Sequence, residues 1–480
     1  MLKKIGIIIC LLFLFQNQIF AHSGKPKYHV IIDTDGAIDD FRSISMFLAG
    51  NDIRVLALIC SQGTLQPVSC FNKVNSLISN YYHNGIPIAI SDSINFPLPV
   101  WNSFAEQIKW GNEFESLPKK EYSLDLLNKV TKDYPSKITL IALGSLKTYA
   151  DWLKKNPEIV QKIERIIWYN EADIQKGFNY LLDPESYNFV SSLNIPLQIV
   201  SNNRNDLICN TEYLNFIKKT NSIYAQQIFN VHQQMSVSER VLQNHLLLWD
   251  DLLPLYLCVP ILFTEETSEN ITYVTLEKSI PPTFVYEMIS KLLFSGTSTN
   301  NRVFTSFPVD TLLYKKEYAE ILNNTINNYG EIEWKAITMT NEIHGHTGIY
   351  SIIGAKMGVR AMEYFNVGVN NLYATTFVGS TPPLSCLNDG IQISTGATIG
   401  QGLITISDTI LQNPTVEFEF NNQKIKISLK PEFSQKMQNE IKQGVMNYGM
   451  NEDYWIYIEK LAIKYWAEYN RHEIFDIVKL

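Results

Sequence analysis

The 480-residue chain has few cysteines, no basic excess and no long apolar run beyond its first residues. Of six cysteines five lie beyond residue 21, an odd count without a Cys-x-x-Cys pair, and no disulfide framework can be read from them. Forty Lys and Arg stand against 48 Asp and Glu, a formal net charge of −8. A chain that grips phosphate backbones needs a basic patch, so nucleic acid is not an expected partner. No later segment approaches the roughly 20 apolar residues that a bilayer span needs. No internal repeat or low-complexity tract occurs. The composition, 45% hydrophobic and 18% charged, excludes a disordered or collagen-like chain. At roughly 100–200 residues per domain, two or three domains are expected.

Residues 1–21 read as a signal peptide. Lys3 and Lys4 form a charged start, Ile5 to Phe15 is apolar, and Ala21 is a small residue before the cut. A secreted or periplasmic location is therefore expected, with no integral membrane segment after cleavage. Cys10 does not read as a lipidation site, because the apolar run continues past it. Cleavage removes two lysines and no acids, which leaves 38 basic against 48 acidic residues, net −10. Of the remaining cysteines, Cys60, Cys209 and Cys258 follow apolar runs and read as buried thiols.

The first half alternates strands and helices. Tyr28–Ile32, Arg54–Cys60, Ile138–Leu143, Ile163–Trp168 and Pro196–Val200 are Val/Ile-rich strands. Phe41, Ile44, Phe47 and Leu48 fall at helical spacing, and another helix covers Thr148–Lys155. This order indicates an α/β fold, a mostly parallel sheet with helices on both faces. Ligands in such sheets bind beyond the carboxyl ends of the strands. A polar loop is expected at 296–303 and a charged helix at Lys315–Tyr329. After Gly330 the character changes. Glycine- and threonine-rich segments (Val378–Leu384, Ser394–Gly402) precede a strand-like run, Val416–Leu429, and an aromatic helix, Tyr454–Glu468. The expected division is 22–328 and 329–480.

Residues 33–40 read Asp-Thr-Asp-Gly-Ala-Ile-Asp-Asp. Two acids would suit a helix N-terminus. Four after a buried strand are costly unless a cation or hydrogen-bond donors compensate. A hard divalent cation with oxygen ligands compensates directly. Asp33 and Asp35 lie on one strand face while Asp39 and Asp40 start the next helix, so a single turn can aim several carboxylates at one point.

The motif resembles the D-T-D-P-G-x-D-D start of the nucleoside hydrolases. Further matches follow in that family's order: Ala142 to Thr148, Phe178-Asn179 with Asp183-Pro184-Glu185, and Leu248-Trp249-Asp250-Asp251-Leu252. The resemblance covers roughly 27–325. It implies a calcium ion held by Asp35, Asp40, Asp250 and the Leu143 carbonyl. It implies Asp35 as general base toward the attacking water, Asp39, Asn179 and Asp250 on the substrate, and Asp33 in support. The chain departs from the family at three places. Gly36-Ala37 replaces Pro-Gly, Gly177 stands where the family has an acid, and Trp249 replaces a histidine that assists the leaving base. A tryptophan at 249 can stack on a base but cannot protonate it.

In the second half, His344-Gly345-His346 can face one point if the chain is extended, and His-x-His is a common metal-ligand pair. With Cys386-Leu387-Asn388-Asp389-Gly390-Ile391-Gln392-Ile393-Ser394-Thr395-Gly396, these residues resemble the family of the E-type subunit of formylmethanofuran dehydrogenase over roughly 335–470. That resemblance implies a smaller α+β domain with a metal site. Gly348 and Ala397 replace two of the family's cysteines, which leaves His344, His346 and Cys386 as expected ligands for zinc or another transition metal.

Two functions stay open. One is an exported calcium-dependent N-glycosidase acting on a nucleoside or related riboside, with an accessory metal-binding domain. The other is a catalytically degenerate periplasmic binding protein for a nucleoside-like or metal-bearing ligand. The family's habit of dimers and tetramers makes a homo-oligomer an expected assembly.

Overall fold

The computed structural model describes residues 26–112, 120–295, 303–304 and 306–480. The expected signal peptide, and the polar loop apart from Val303, lie outside the described residues. Among the described residues no helix is long and apolar enough to cross a membrane.

The first half builds a nine-stranded sheet: β1 (Tyr28–Thr34), β2 (Ile53–Cys60), β3 (Ile88–Ile90), β4 (Glu121–Tyr122), β5 (Ile138–Ala142), β6 (Ile163–Tyr169), β7 (Leu197–Ser201), β8 (Phe263–Ser268) and β9 (Ile271–Leu276). Their spatial order is β4-β3-β2-β1-β5-β6-β7-β9-β8. Every pairing is parallel except β8 with β9 at one edge. Period-two alternation explains why the strands are apolar throughout. Val30 and Ile32 enter one core with Phe41 and Phe47, while Ile31 enters the core on the opposite face with Leu140 and Trp152.

The strand order also sets where a ligand can sit. From β1 the chain runs outward through β2, β3 and β4, then returns to place β5 on the other side of β1. The crevice beyond the carboxyl ends of β1 and β5 is thus a topological switch point. The acidic loop leaves β1 at that crevice, and Leu143 leaves β5 there.

The second half has its own core, which runs from Phe307 and Leu322 to Phe475. Leu322 lies in the helix Lys316–Tyr329, so that helix packs with the second core. A five-stranded sheet, β10 (Tyr373–Thr376), β11 (Ile404–Ile406), β12 (Thr415–Phe420), β13 (Gln423–Leu429) and β14 (Phe475–Lys479), has the order β11-β10-β12-β13-β14. The alternating run 416–429 is two strands, not one. Asn421 and Asn422 both take positive φ, +47° and +61°, and the pair makes the tight hairpin turn for which Asn is suited. The helices Ile349–Phe365 and Leu387–Thr395 cross closely. A Cβ at Gly354 would meet the Leu387 carbonyl oxygen at 2.2 Å. The result is an α/β unit followed by a smaller α+β unit.

The two halves are tied by specific bonds. Gly85 N donates to the Tyr364 carbonyl at 2.8 Å, and Arg360 Nη1 donates to the Tyr82 carbonyl at 3.1 Å. His83 Nδ1 lies 2.7 Å from the Glu363 carbonyl, which only accepts, so Nε2 accepts from the Tyr224 hydroxyl. Burial pushes the His83 imidazole down to about 4, which keeps it neutral in that role.

Candidate active site

The loop after β1 turns at Gly36, whose φ of +89° is the left-handed region that favours glycine. A side chain there would also strike Leu65. The glycine one position earlier than the family pattern is therefore the residue that makes the turn. The turn delivers Asp39 and Asp40 to the start of the helix Ile38–Ala49. Asp40 Oδ2 accepts from Thr34 Oγ1 at 2.6 Å and from the backbone N–H of Asp35 and Gly36 at 3.0 and 3.1 Å. Asp250 arrives just before the helix Leu252–Cys258, and its carbonyl accepts from the Ser43 hydroxyl.

Among the described residues, one group of three or more side chains has metal-ligating atoms within 4.8 Å of one another: Asp39, Asp40 and Asp250. All three are buried. The Oδ1 atoms of Asp35, Asp40 and Asp250 receive no hydrogen bond from any protein donor. Burial, then the Asp39 charge, pushes Asp40 up to about 7. Burial raises Asp39 to about 6 against the pull of Arg42. Burial, with Asp39 and Asp40 nearby, holds Asp250 well above the carboxylate range. Packed acids with undonated oxygens and raised pKa are the donor set a hard cation satisfies.

Asp35 stands beside this trio rather than in it. Its carboxylate lies against Gly63, where a Cβ would fall 2.2 Å from Oδ2. Any larger residue at 63 would displace it. Burial and the Asp40 charge raise Asp35 well above its ordinary value, while Thr64 and Ala37 donate to it and pull the other way. Asp33 is one layer back. It accepts from the Ser61 hydroxyl, and burial pushes it up to about 7.

The Leu143 carbonyl faces the same crevice and accepts from Asn179 Nδ2 at 2.8 Å. Asn179 Nδ2 also donates to the Tyr169 carbonyl at 3.0 Å. Both amide hydrogens of Asn179 are thus spent on backbone, and only its Oδ1 remains to accept from a ligand hydroxyl.

Sequence reasoning missed two parts of this site. Arg42 donates from Nε and Nη2 to both carboxylate oxygens of Asp251, at 2.8 and 2.7 Å, with both side chains fully buried. The pair locks the helix that carries Asp39 to the segment that carries Asp250. Breaking it would leave a buried charge alone, which is costly. An arginine among the apolar residues of Ile38–Ala49 was its available signal. The second part follows β2. Trp101 Nε1 donates to Thr64 Oγ1 at 3.2 Å, and the Phe178 ring meets Trp101 edge-on at 5.0 Å. An aromatic rim therefore borders the acidic floor. Trp249, by contrast, is partly buried and packs on the main core.

The histidine pair is also close, but not through an extended chain. His344 ends the helix Glu331–His344, and Gly345 at φ +80° caps it in the left-handed region. That turn brings the two rings to 4.3 Å between centroids. His344 Nδ1 pairs with Asp389 Oδ2 at 2.7 Å, and its Nε2 has no protein partner. Cys386 does not join them, since among the described residues no trio that includes it has its ligand atoms within 4.8 Å. It ends a single 3-10 turn, and Asp389, one turn further, is the residue that meets His344.

Residues 30–310 match the family described as inosine-uridine preferring nucleoside hydrolase. The chain belongs to that family. Residues 343–475 match a second family, described as FmdE, molybdenum formylmethanofuran dehydrogenase operon. Among curated proteins, the chain is 26% identical over 187 residues to the pyrimidine-specific ribonucleoside hydrolase RihA of Citrobacter koseri, covering 35% of this chain and 58% of that protein. It is 23% identical over 198 residues to a probable uridine nucleosidase 1 of Oryza sativa subsp. japonica, covering 38% and 61%. The chain thus spans about three fifths of the length of the curated relatives it matches. Among solved structures, the plant nucleoside hydrolase PpNRh1 is 16% identical with a TM-score of 0.48, covering 56% of this chain and all of that one.

Against the nucleoside hydrolase pattern, the glycine at 177 has a local cause. A Cβ there would lie 2.1 Å from Asn170 Oδ1. The Asn170 side chain fills that space, accepting from Tyr180 N and donating to the Ile174 carbonyl.

Proposed function

We propose that the chain is an exported N-glycosidase that cleaves a nucleoside or related riboside with the help of calcium. The observation that carries this reading is the buried trio Asp39, Asp40 and Asp250, whose donor set suits a hard cation. The Leu143 carbonyl and Asp35 border the same space. When bound, a divalent cation would neutralise the trio and polarise water beside it. The chain's own residues do the rest. Asp35, held high by burial and by Asp40, accepts a proton from the attacking water. Asn179 Oδ1 and Asp39 accept from ribose hydroxyls and fix the sugar. The carboxylate floor stabilises positive charge that develops at the anomeric carbon as the glycosidic bond breaks. The base leaves toward the aromatic rim of Trp101 and Phe178. A catalytically silent riboside-binding protein is the second reading, and Trp249, which cannot protonate a leaving base, favours it.

The test is free ribose, assayed after incubation of the mature protein with calcium and a panel of purine, pyrimidine and modified ribosides. Release from at least one riboside is expected. Binding without any release would replace the first reading by the second. Export rests on Lys3, Lys4, the apolar run and Ala21.

In the second domain, His344 and His346 are proposed to hold zinc or another transition metal. A histidine whose Nδ1 is oriented by a carboxylate and whose Nε2 is free is arranged as metal-ligating histidines are. Elemental analysis of purified protein should show about one equivalent of transition metal that His344→Ala removes. Unchanged metal content in that variant would discard the site.

A further inference from the structure

A large cavity of about 1160 Å³ lies in the second domain, far along the chain from the acidic floor. Its walls are aromatic: Tyr314, Tyr318, Trp455 and Trp466 all face it. Trp466 is only 1% exposed, yet its indole Nε1 has no hydrogen-bond partner. Asn341 lines the same wall. Its Oδ1 accepts from the Ser351 hydroxyl, while its Nδ2 donates to nothing in the protein. The Thr338 hydroxyl, also on the wall, is unpartnered as well. Buried donors left without acceptors are costly, and three of the residues that line this cavity carry one, so a ligand that brought acceptors within reach would relieve them.

The other polar groups narrow the ligand. Glu459 takes a hydrogen bond from the Tyr318 hydroxyl at 2.8 Å and keeps further acceptor capacity toward the cavity. Glu342, Glu452 and Glu459 stand against one amine, Lys315, and the His346 imidazole, so in the metal-free protein the lining disfavours anions. Trp455, 52% exposed, lines the cavity beside the His346 ring, which it meets edge-on, and its exposed indole surface can stack on a ring.

We propose that this cavity is a second ligand site, for a neutral or cationic planar heterocycle of the nucleobase class, free or carried on a sugar. The indole and phenol walls stack the ring. Trp466 Nε1 and Asn341 Nδ2 donate to its acceptors, and Glu459 receives its N–H. The site is separate from the acidic floor, and the inference stands whether or not that floor is catalytic.

Equilibrium dialysis of the full chain carrying Asp35→Asn, with labelled uracil, hypoxanthine, uridine, inosine and AMP, tests it. A saturable site for at least one neutral probe is expected. The base and nucleoside arms distinguish the free ring from the sugar-borne one. In protein stripped of metal with EDTA, AMP should bind that site about ten-fold more weakly than the neutral probes. Adding Trp455→Ala should weaken the same site about ten-fold or more, and Glu459→Gln should also weaken it. In chains with Asp35 intact, Trp455→Ala should leave ribose release unchanged. Absence of ribose release alongside Trp455-dependent binding would sink the glycosidase reading and keep this one. No saturable site beyond one abolished by Asp39→Ala, or affinity indifferent to both cavity variants, would overturn it.

Discussion

Replacing Asp35 by Asn lowers riboside hydrolysis about a thousand-fold while the KM for the riboside changes little. The amide has the shape of the carboxylate, so it still fits against Gly63, where no larger neighbour is tolerated. What it loses is the capacity to accept a proton, and general-base contributions of this kind are worth roughly 10²–10⁴. The split between kcat and KM follows from position. Asp39 and Asn179, the groups assigned to the sugar, are untouched, and the trio of Asp39, Asp40 and Asp250 keeps all three carboxylates. The substitution also removes one buried acid whose ordinary charge burial and Asp40 oppose, so the folded chain should not be weakened. Steady-state ribose release and a thermal melt, run together, check both halves. An Asp35→Asn enzyme with more than a tenth of the original kcat would remove Asp35 from the role of base. A large rise in KM at constant kcat would make it a substrate-binding group instead.

The acidic floor was legible in the sequence because its physics is local. Four carboxylates within eight positions after a buried strand need compensation wherever that strand sits. The sheet was legible for the same reason in β1, β2, β5, β6 and β7, which are long and Val/Ile-rich. It was not legible in β3 and β4, of three and two residues, nor in the antiparallel edge where β8 exposes five of its six residues. The rest of the site depends on pairings the chain makes at long range. Arg42 and Asp251 are 209 positions apart, and Trp101 reaches Thr64 across the crevice. His344 and His346 were readable as neighbours, but the route was not. The left-handed Gly345, rather than an extended strand, brings them together, and Asp389 is the carboxylate that meets His344. Cys386 fell outside because it ends the short 3-10 turn before the helix Leu387–Thr395, whereas Asp389 lies in that helix's first turn and is the residue that meets the histidine.

Chelation should destabilise the protein more as pH rises, and calcium should reverse this most strongly at high pH. An ordinary Asp titrates near 3.8, whereas in the folded chain burial pushes Asp33 and Asp40 up to about 7 and Asp39 to about 6. Between roughly pH 4 and pH 7 the folded chain without a cation therefore binds more protons than the unfolded chain. Stability then falls as pH rises through that window. Asp33 alone, moved from 3.8 to about 7 by burial, corresponds to roughly 4 kcal/mol across it. A divalent cation bound among Asp39, Asp40 and Asp250 takes the place of the lost protons, so its stabilisation grows as those protons leave. Thermal melts in EDTA at pH 5 and pH 8 should differ by roughly 5–10 °C, with the lower Tm at pH 8. Millimolar calcium should raise Tm more at pH 8 than at pH 5. Magnesium, which demands tighter octahedral geometry and gives up water reluctantly, should raise it less. Asp250→Asn removes one of the three acids and should flatten the EDTA profile while shrinking the calcium response. A Tm in EDTA that climbs from pH 5 to pH 8, or a calcium shift equal at both, would show that these carboxylates carry no uncompensated charge and that the cluster is not a cation site.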